Sequence, residues 1–239
     1  MSNPRINFAS SQIRQLLQPG GLLNYGPDLT RLLVHMLRVL AEGHPISPEQ
    51  RDQITGGQRL PREGAIRFLE QVSERDAAGN IVGIMGLTLN QTSHRLQVDG
   101  TWMSAWCAQD TLFLPVLLTR TAIIESTSPL SGEKIRLTVS PDRVDEVSPP
   151  GAVVTTVLIN PDKLNLSSVE AIWTTFCHHI FFFTSREEAE RWAAGKTNIA
   201  VLSMDEAYAL GQEFASSLLA VAQAAIGDAG HAIANATAN

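Results

Sequence analysis

Trp106-Cys107-Ala108-Gln109-Asp110-Thr111-Leu112 stands near the middle of a 239-residue chain and separates two textures of sequence. Ahead of it, apolar residues recur at helical spacing and then give way to strand-like runs. Behind it, short apolar segments are punctuated by prolines. The stretch also holds one of only two cysteines, with a carboxylate three residues on. The other cysteine lies 70 positions downstream, in Phe176-Cys177-His178-His179. Ser104 is placed to N-cap a helix through this stretch, which puts Cys107 and Asp110 on neighbouring parts of one face. Pro115 bends or restarts that helix before Leu117 and Leu118.

Toward the N-terminus, Leu29, Leu32, Leu33, Met36, Leu37 and Leu40 form one apolar helical face, with Asp28 as N-cap and Gly43 as stop. Ser47-Pro48-Glu49-Gln50 reads as a capping box with proline at the first helical position. A third helix runs from about Pro61 to Glu74. After turn residues Asp76 to Asn80, Ile81 to Leu89 and Ser93 to Val98 read as the two strands of a hairpin, closed by Asp99-Gly100. Three helices and a hairpin predict a winged helix-turn-helix-like domain over residues 29–100. Residues 1–28, broken by Pro19-Gly20-Gly21, read as an arm with a short helix at Ser10 to Gln18.

Toward the C-terminus, strands are expected at Thr121 to Ser126, Lys134 to Val139 and Ala152 to Ile159. Ala171 to Phe183, rich in aromatic and β-branched residues, reads as a buried strand. Ser185 with Glu188, and Ser203 with Glu206, open two further helices around a strand at Asn198 to Ser203. The fold class is therefore α+β, with a mixed α/β domain over 101–225 and a flexible Ala/Gly/Asn tail over 226–239.

Composition narrows the function. Net charge is −6, split into +1 over residues 1–100 and −7 over 101–239. An acidic C-terminal half is a poor surface for nucleic acid, whose binding rests on Lys and Arg. Arg59, Arg62 and Arg67 on the third helix are offset by Glu63 and Glu70. No apolar run is long enough to span a bilayer, and the N-terminus has no secretory pattern. The expectation is a cytoplasmic protein with reduced thiols, no nucleic-acid partner and no membrane partner.

Taken alone, the two cysteines fit several readings. They suit buried small hydrophobes, a redox pair, or a zinc shell completed by Asp110 and His178 or His179. A papain-type pairing of Cys107 with His179 lacks any local signature. On a strand, His178 faces away from Cys177 while His179 shares its side. In the first turn of a helix begun at Ser104, Cys107 is favoured as a thiolate and so as the first nucleophile.

Ala105-Trp106-Cys107-Ala108-Gln109-Asp110-Thr111-Leu112-Phe113 closely resembles the first active-site motif of the organomercurial (alkylmercury) lyases, and Phe176-Cys177-His178-His179-Ile180-Phe181-Phe182 resembles their second. The likeness continues through Gly79-Asn80-Ile81-Val82-Gly83, Arg120-Thr121-Ala122, Leu137-Thr138-Val139-Ser140-Pro141, Ala189-Glu190-Arg191-Trp192 and Leu210-Gly211-Gln212-Glu213-Phe214. It covers roughly residues 29–220 in order.

The resemblance implies a winged-helix-like domain without a DNA role, followed by an alkylmercury lyase catalytic domain. The implied reaction is protonolysis of a carbon–mercury bond to a hydrocarbon and Hg(II). By the same resemblance Cys107 and Cys177 bind the mercury of substrate and product, and Asp110, beside that metal, handles the proton. No organic cofactor is implied. External small thiols or a mercuric reductase are expected to take away Hg(II). His178 and Ser128 stand where many or some members carry cysteine, and Ser104 where a tyrosine precedes the first motif. These departures frame the alternative of a lyase-like protein binding another soft metal or acting on a different substrate in a biosynthetic pathway. A metal-sensing winged-helix regulator is the other alternative.

Overall fold

The computed structural model describes residues 4–158 and 164–236, and side chains at 7–158 and 164–224. Helices α1 (Pro4–Leu17), α2 (Gly26–Leu40), α3 (Pro48–Gly56) and α4 (Arg62–Val72) come first. Strands β1 (Ser73–Arg75), β2 (Ile81–Ile84), β3 (Leu87–Thr88), β4 (His94–Val98) and β5 (Thr101–Ala105) lead into α5 (Ala108–Leu118). Then come β6 (Ala122–Thr127), β7 (Lys134–Val139), β8 (Val144–Ser148), β9 (Val153–Val157) and α6 (Val169–Thr175). A 3-10 turn (Cys177–His179), β10 (Phe182–Phe183), α7 (Arg186–Ala193), β11 (Ile199–Ser203) and α8 (Met204–Ala236) complete the chain.

The strands form an eight-stranded antiparallel sheet in the order β1-β2-β3-β5-β4-β6-β7-β8 and a three-stranded one in the order β10-β9-β11. This is a mixed α/β architecture with antiparallel sheets. The larger sheet draws strands from both sides of residue 100. Against it lies α5, buried around nearly its whole circumference, with Gln109, Asp110 and Thr111 polar in its first turn and apolar residues beyond: every residue from Ala108 to Leu118 except Gln109 is buried. A helix with no polar face belongs in the middle of a core. It packs on α8 and α2 as well as on strands of both sheets. Pro115 sits inside α5 without ending it.

Several expected elements stand where the sequence puts them. Ser47 and Gln50 make the capping box of α3, bonding at 3.0 and 3.2 Å. Ser203 and Glu206 do the same for α8 at 2.7 and 3.2 Å. The arm helix is longer than expected and is tied to α8 by an Arg14–Glu213 ion pair of 2.6 Å. Helix α2 starts two residues ahead of Asp28, which instead pairs with Arg31 at 3.1 Å. The end of the expected strand at Ile159 and residues 237–239 of the tail lie outside the described residues.

The expected hairpin between 81–89 and 93–98 is not formed. Met85 and Gly86 both have positive φ, 52° and 88°. That pair makes a tight two-residue turn, so β2 pairs with β3 within the first segment. β4 pairs instead with β5, across Asp99-Gly100, and with β6. Ile46 bridges Ile81 beside the β1–β2 hairpin. Among the described residues, no helix is long and apolar enough to cross a membrane.

Glu188, in the first turn of α7, locks that helix to the sheet. It is buried and accepts hydrogen bonds from Ser128 Oγ (2.7 Å), Ser131 N (2.9 Å), Thr184 N (2.8 Å) and Thr184 Oγ1 (2.7 Å). Burial opposes its charge, but these donors outweigh that and hold its pKa down to about 2, against an ordinary 4.5. A depressed folded-state value adds stability that is present above the ordinary pKa and lost as pH falls through the folded one. Glu188→Gln should therefore lower Tm by roughly 5 °C at neutral pH. The gap to wild type should close below about pH 4.5 in thermal unfolding followed across pH.

Candidate active site

The site begins where β5 leaves the large sheet. Trp106 N–H donates to Gly86 O at 2.8 Å, and Cys107 is extended (φ −149°, ψ 174°) as the N-cap of α5. Its own N–H donates to Asp110 Oδ2 at 2.9 Å, so Asp110 closes the helix end as the N3 residue of a capping box does. Ser104 is not the N-cap. It pairs within β5, opposite Thr88 and Arg95, because the sheet takes the backbone as far as Ala105. Cys107 accordingly stands three positions nearer the helix start than the sequence reading places it.

Cys177 arrives from the other half of the chain, on a turn rather than a strand. Ser168 caps α6, accepting from Ala171 N at 3.2 Å, and the helix takes up residues that composition alone assigns to a strand. Aromatic density there reflects packing: Trp173 meets Trp106 edge-on at 6.0 Å. The alternation that sets His179 beside Cys177 therefore does not apply, and His178 is exposed on the turn. Thr155 on β9 clamps the segment, donating to His179 O at 3.0 Å and accepting from Phe181 N at 2.9 Å. Ala108 N–H of α5 then donates to Ile180 O at 3.3 Å, tying the two cysteine segments directly.

Cys107, Asp110 and Cys177 are thereby brought together, with one ligand atom from each lying within 4.8 Å of the others. All three are buried, at 2%, 8% and 5% exposure. Neither histidine joins them among the described residues, so the four-ligand zinc shell is not assembled. Two sulfurs and one carboxylate are a donor set for a soft metal ion.

Burial governs the proton balance. It raises Asp110 to about 7, although hydrogen bonds from the Cys107 side chain and backbone pull the other way. Burial, the hydrogen bond to Cys177 and the nearby Asp110 charge push Cys107 well above an ordinary thiol. For Cys177 the hydrogen bond with Cys107 lowers the pKa, but burial and Asp110 prevail and leave it raised. The expected first-turn thiolate at Cys107 is therefore overturned: desolvation and a neighbouring carboxylate outweigh the helix N-terminus.

Two cavities meet at these residues. One, of about 240 Å³, reaches Cys107, Asp110 and Cys177 through apolar walls that include Leu16, Met85, Phe113 and Phe214. The other, of about 310 Å³, is a mixed cleft in which Glu74, Asn90, Thr92, Ser93 and His178 stand beside Trp106, Trp173 and Phe181. Trp106 and Cys177 line both.

Two residues important to the geometry escape the sequence reading. A Cβ on Gly86 would lie 2.6 Å from Asp110 Cγ, so the Met85-Gly86 turn presses bare backbone against the carboxyl. The available signal was a glycine inside a strand-like run, which marks a close approach of backbone. Glu74 accepts from Trp106 Nε1, from Thr88 Oγ1 (3.2 Å) and from Asn90 Nδ2 (2.7 Å), fixing the indole beside Cys107. No local motif announces it.

The alkylmercury lyase sequence model, MerB, matches residues 87–216. An alkylmercury lyase of Staphylococcus epidermidis is 35% identical over 207 residues, 87% of this chain and 90% of that relative. One from Pseudomonas putida is 36% identical over 214 residues, 88% of this chain and 93% of the relative. Among solved structures, the mercury-bound form of MerB2 superposes with a TM-score of 0.71 at 21% identity, covering 89% of this chain and 99% of that one.

Asp110 has a folded-state pKa of about 7 against an ordinary 3.8. A raised value means that stability is full below the ordinary pKa and is lost as pH rises through the folded one. Asp110→Asn should thus stabilise the protein at pH 8 by on the order of 4 kcal/mol, with the gain shrinking toward zero near pH 4 in chemical denaturation. Gly86→Ala should do the opposite at any pH. Positive φ and the clash with Asp110 together should cost about 2 kcal/mol or more, read as a lowered denaturation midpoint.

Proposed function

This chain belongs to the alkylmercury lyase family, and from that membership we propose that it cleaves carbon–mercury bonds by protonolysis at Cys107, Asp110 and Cys177. The observation that carries this is the gathering of two thiols and one carboxyl within 4.8 Å at the end of an apolar cavity. Such a cavity suits the organic group of R–Hg–X, and the sulfurs suit its metal.

The reaction balances without an organic cofactor. R–Hg–X and two thiols give R–H, HX and mercury held between two sulfurs. Cys177, less strongly shifted than Cys107 and accepting its hydrogen bond, exchanges first: its sulfur replaces X, and its proton leaves as HX. Cys107 then binds mercury while its proton passes to the neighbouring Asp110 carboxylate, within 4.8 Å of both sulfurs. The second sulfur raises electron density on mercury and on the attached carbon. Asp110 delivers the proton to that carbon as the carbon–mercury bond breaks. Hg(II) stays on the sulfurs until an external thiol or a mercuric reductase removes it.

The departures in sequence leave these three groups intact. Ser128 serves Glu188, and His178 stands at the exposed edge of the turn. The N-terminal unit is read as winged-helix-like, with α2, α3 and α4 followed by the β1–β2 hairpin. Its near-neutral charge supports a structural role rather than one on DNA.

Purified protein should release benzene and Hg(II) from phenylmercury in the presence of excess thiol. Asp110→Asn should reduce single-turnover benzene formation by roughly 100- to 10,000-fold. If wild type releases no more Hg(II) than a Cys107→Ser, Cys177→Ser double variant, the proposal fails. Because Asp110 must be ionised to accept the Cys107 proton, kcat/KM should fall about tenfold per pH unit below about 7 and level off above it. A flat profile across that range would remove Asp110 from proton transfer.

A further inference from the structure

We propose that the cleft beside Cys177, the more polar of the two cavities, is the docking site of the small, charged thiol that carries Hg(II) away, so that organic group and acceptor use opposite sides of the cysteine pair. The inference rests on the lyase reading and extends it to product removal. Cys177 and Trp106 form the partition, since they alone line both cavities. On one side the wall is mostly apolar, with Leu16, Met85, Phe113 and Phe214 around the few polar groups of Tyr25, Gln109 and Asp110, and a zwitterionic thiol entering there loses most of the water on its charges. On the other, Glu74, Asn90, Gln91, Ser93 and His178 supply carboxylate, amide, hydroxyl and imidazole groups. Trp173, which lines this cleft, carries a buried indole N–H without a partner. The cleft volume of about 310 Å³ fits a molecule the size of an amino-acid thiol.

The group transfer is an exchange with no change of oxidation state. The incoming thiol's sulfur bonds to mercury, the mercury–Cys177 bond breaks, and the thiol's proton passes to the Cys177 sulfur. A second thiol repeats the exchange at Cys107. Hg(SR)₂ leaves, and both protein thiols are protonated for the next cycle. The order follows from the partition: Cys177 faces the cleft, and Cys107 does not line it.

The test loads the full-length protein directly with HgCl₂, so that it does not depend on carbon–mercury cleavage, and mixes it with L-cysteine. Gln91 and Ser93 are exposed residues of the cleft, and Gln91→Trp and Ser93→Trp narrow it from the rim. Each should slow mercury extraction by roughly tenfold or more, while single-turnover benzene formation from phenylmercury stays at the wild-type rate. On the unaltered protein, L-cysteine should extract mercury at least about tenfold faster than ethanethiol at equal thiolate concentration. Extraction at the wild-type rate in both tryptophan variants, or faster extraction by ethanethiol, would overturn the proposal. Failure of benzene formation in every protein, with extraction still slowed in the variants, would count against the lyase reading and leave the cleft assignment standing.

Discussion

The first two backbone N–H groups at the start of α5 decide how this site is built. Helix ends leave such donors without intrahelical partners, and here they lie in the core, where water does not supply the missing bonds. Cys107 N–H is met by the Asp110 carboxylate and Ala108 N–H by the Ile180 carbonyl. The first bond points the acid back toward the cysteine of its own helix. The second draws in the segment that carries Cys177. Local satisfaction of backbone donors thus brings a site together from residues 70 positions apart.

The same burial that makes the capping bonds necessary sets the chemistry. A carboxyl in water is ionised at neutral pH and a poor proton donor. Against Gly86 and beneath the apolar cavity, Asp110 is raised to about 7, a value at which a carboxyl can both take and return a proton. The cysteines gain no thiolate character from their surroundings. In the proposed reaction their attack on mercury depends on handing protons on, which makes acid and sulfurs one unit.

Much of this was readable in the chain. Amphipathic spacing found α2, hydroxyl residues at helix starts found α3, α7 and α8, and ordered motifs from Gly79 to Phe214 singled out the two cysteines and the aspartate that the fold gathers. What misled was information held elsewhere in the fold. Thr101 to Ala105 became a strand because β4 and β3 lay on either side to receive it, and Ser104 lost its capping role to Cys107. The run from Ala171 to Phe183 looked like one strand, yet only Phe182 and Phe183 form one, and rings ahead of them serve to meet Trp106 and Trp192 across the core. Glu74 was invisible because it acts on a residue 32 positions away through contact rather than pattern, and Gly86, a glycine in a strand-like run, gave no hint that its neighbour is Asp110, 24 positions on.

The two sulfurs are mounted differently, and this matters for a metal whose bonds demand their own geometry. Cys107 caps a helix enclosed on all sides, whereas Cys177 begins a three-residue 3-10 turn, a conformation with weaker hydrogen-bond geometry than the α-helix. In the proposed reaction, mercury is gripped by one sulfur from the end of a long helix and one from a three-residue turn, two jaws of unlike build.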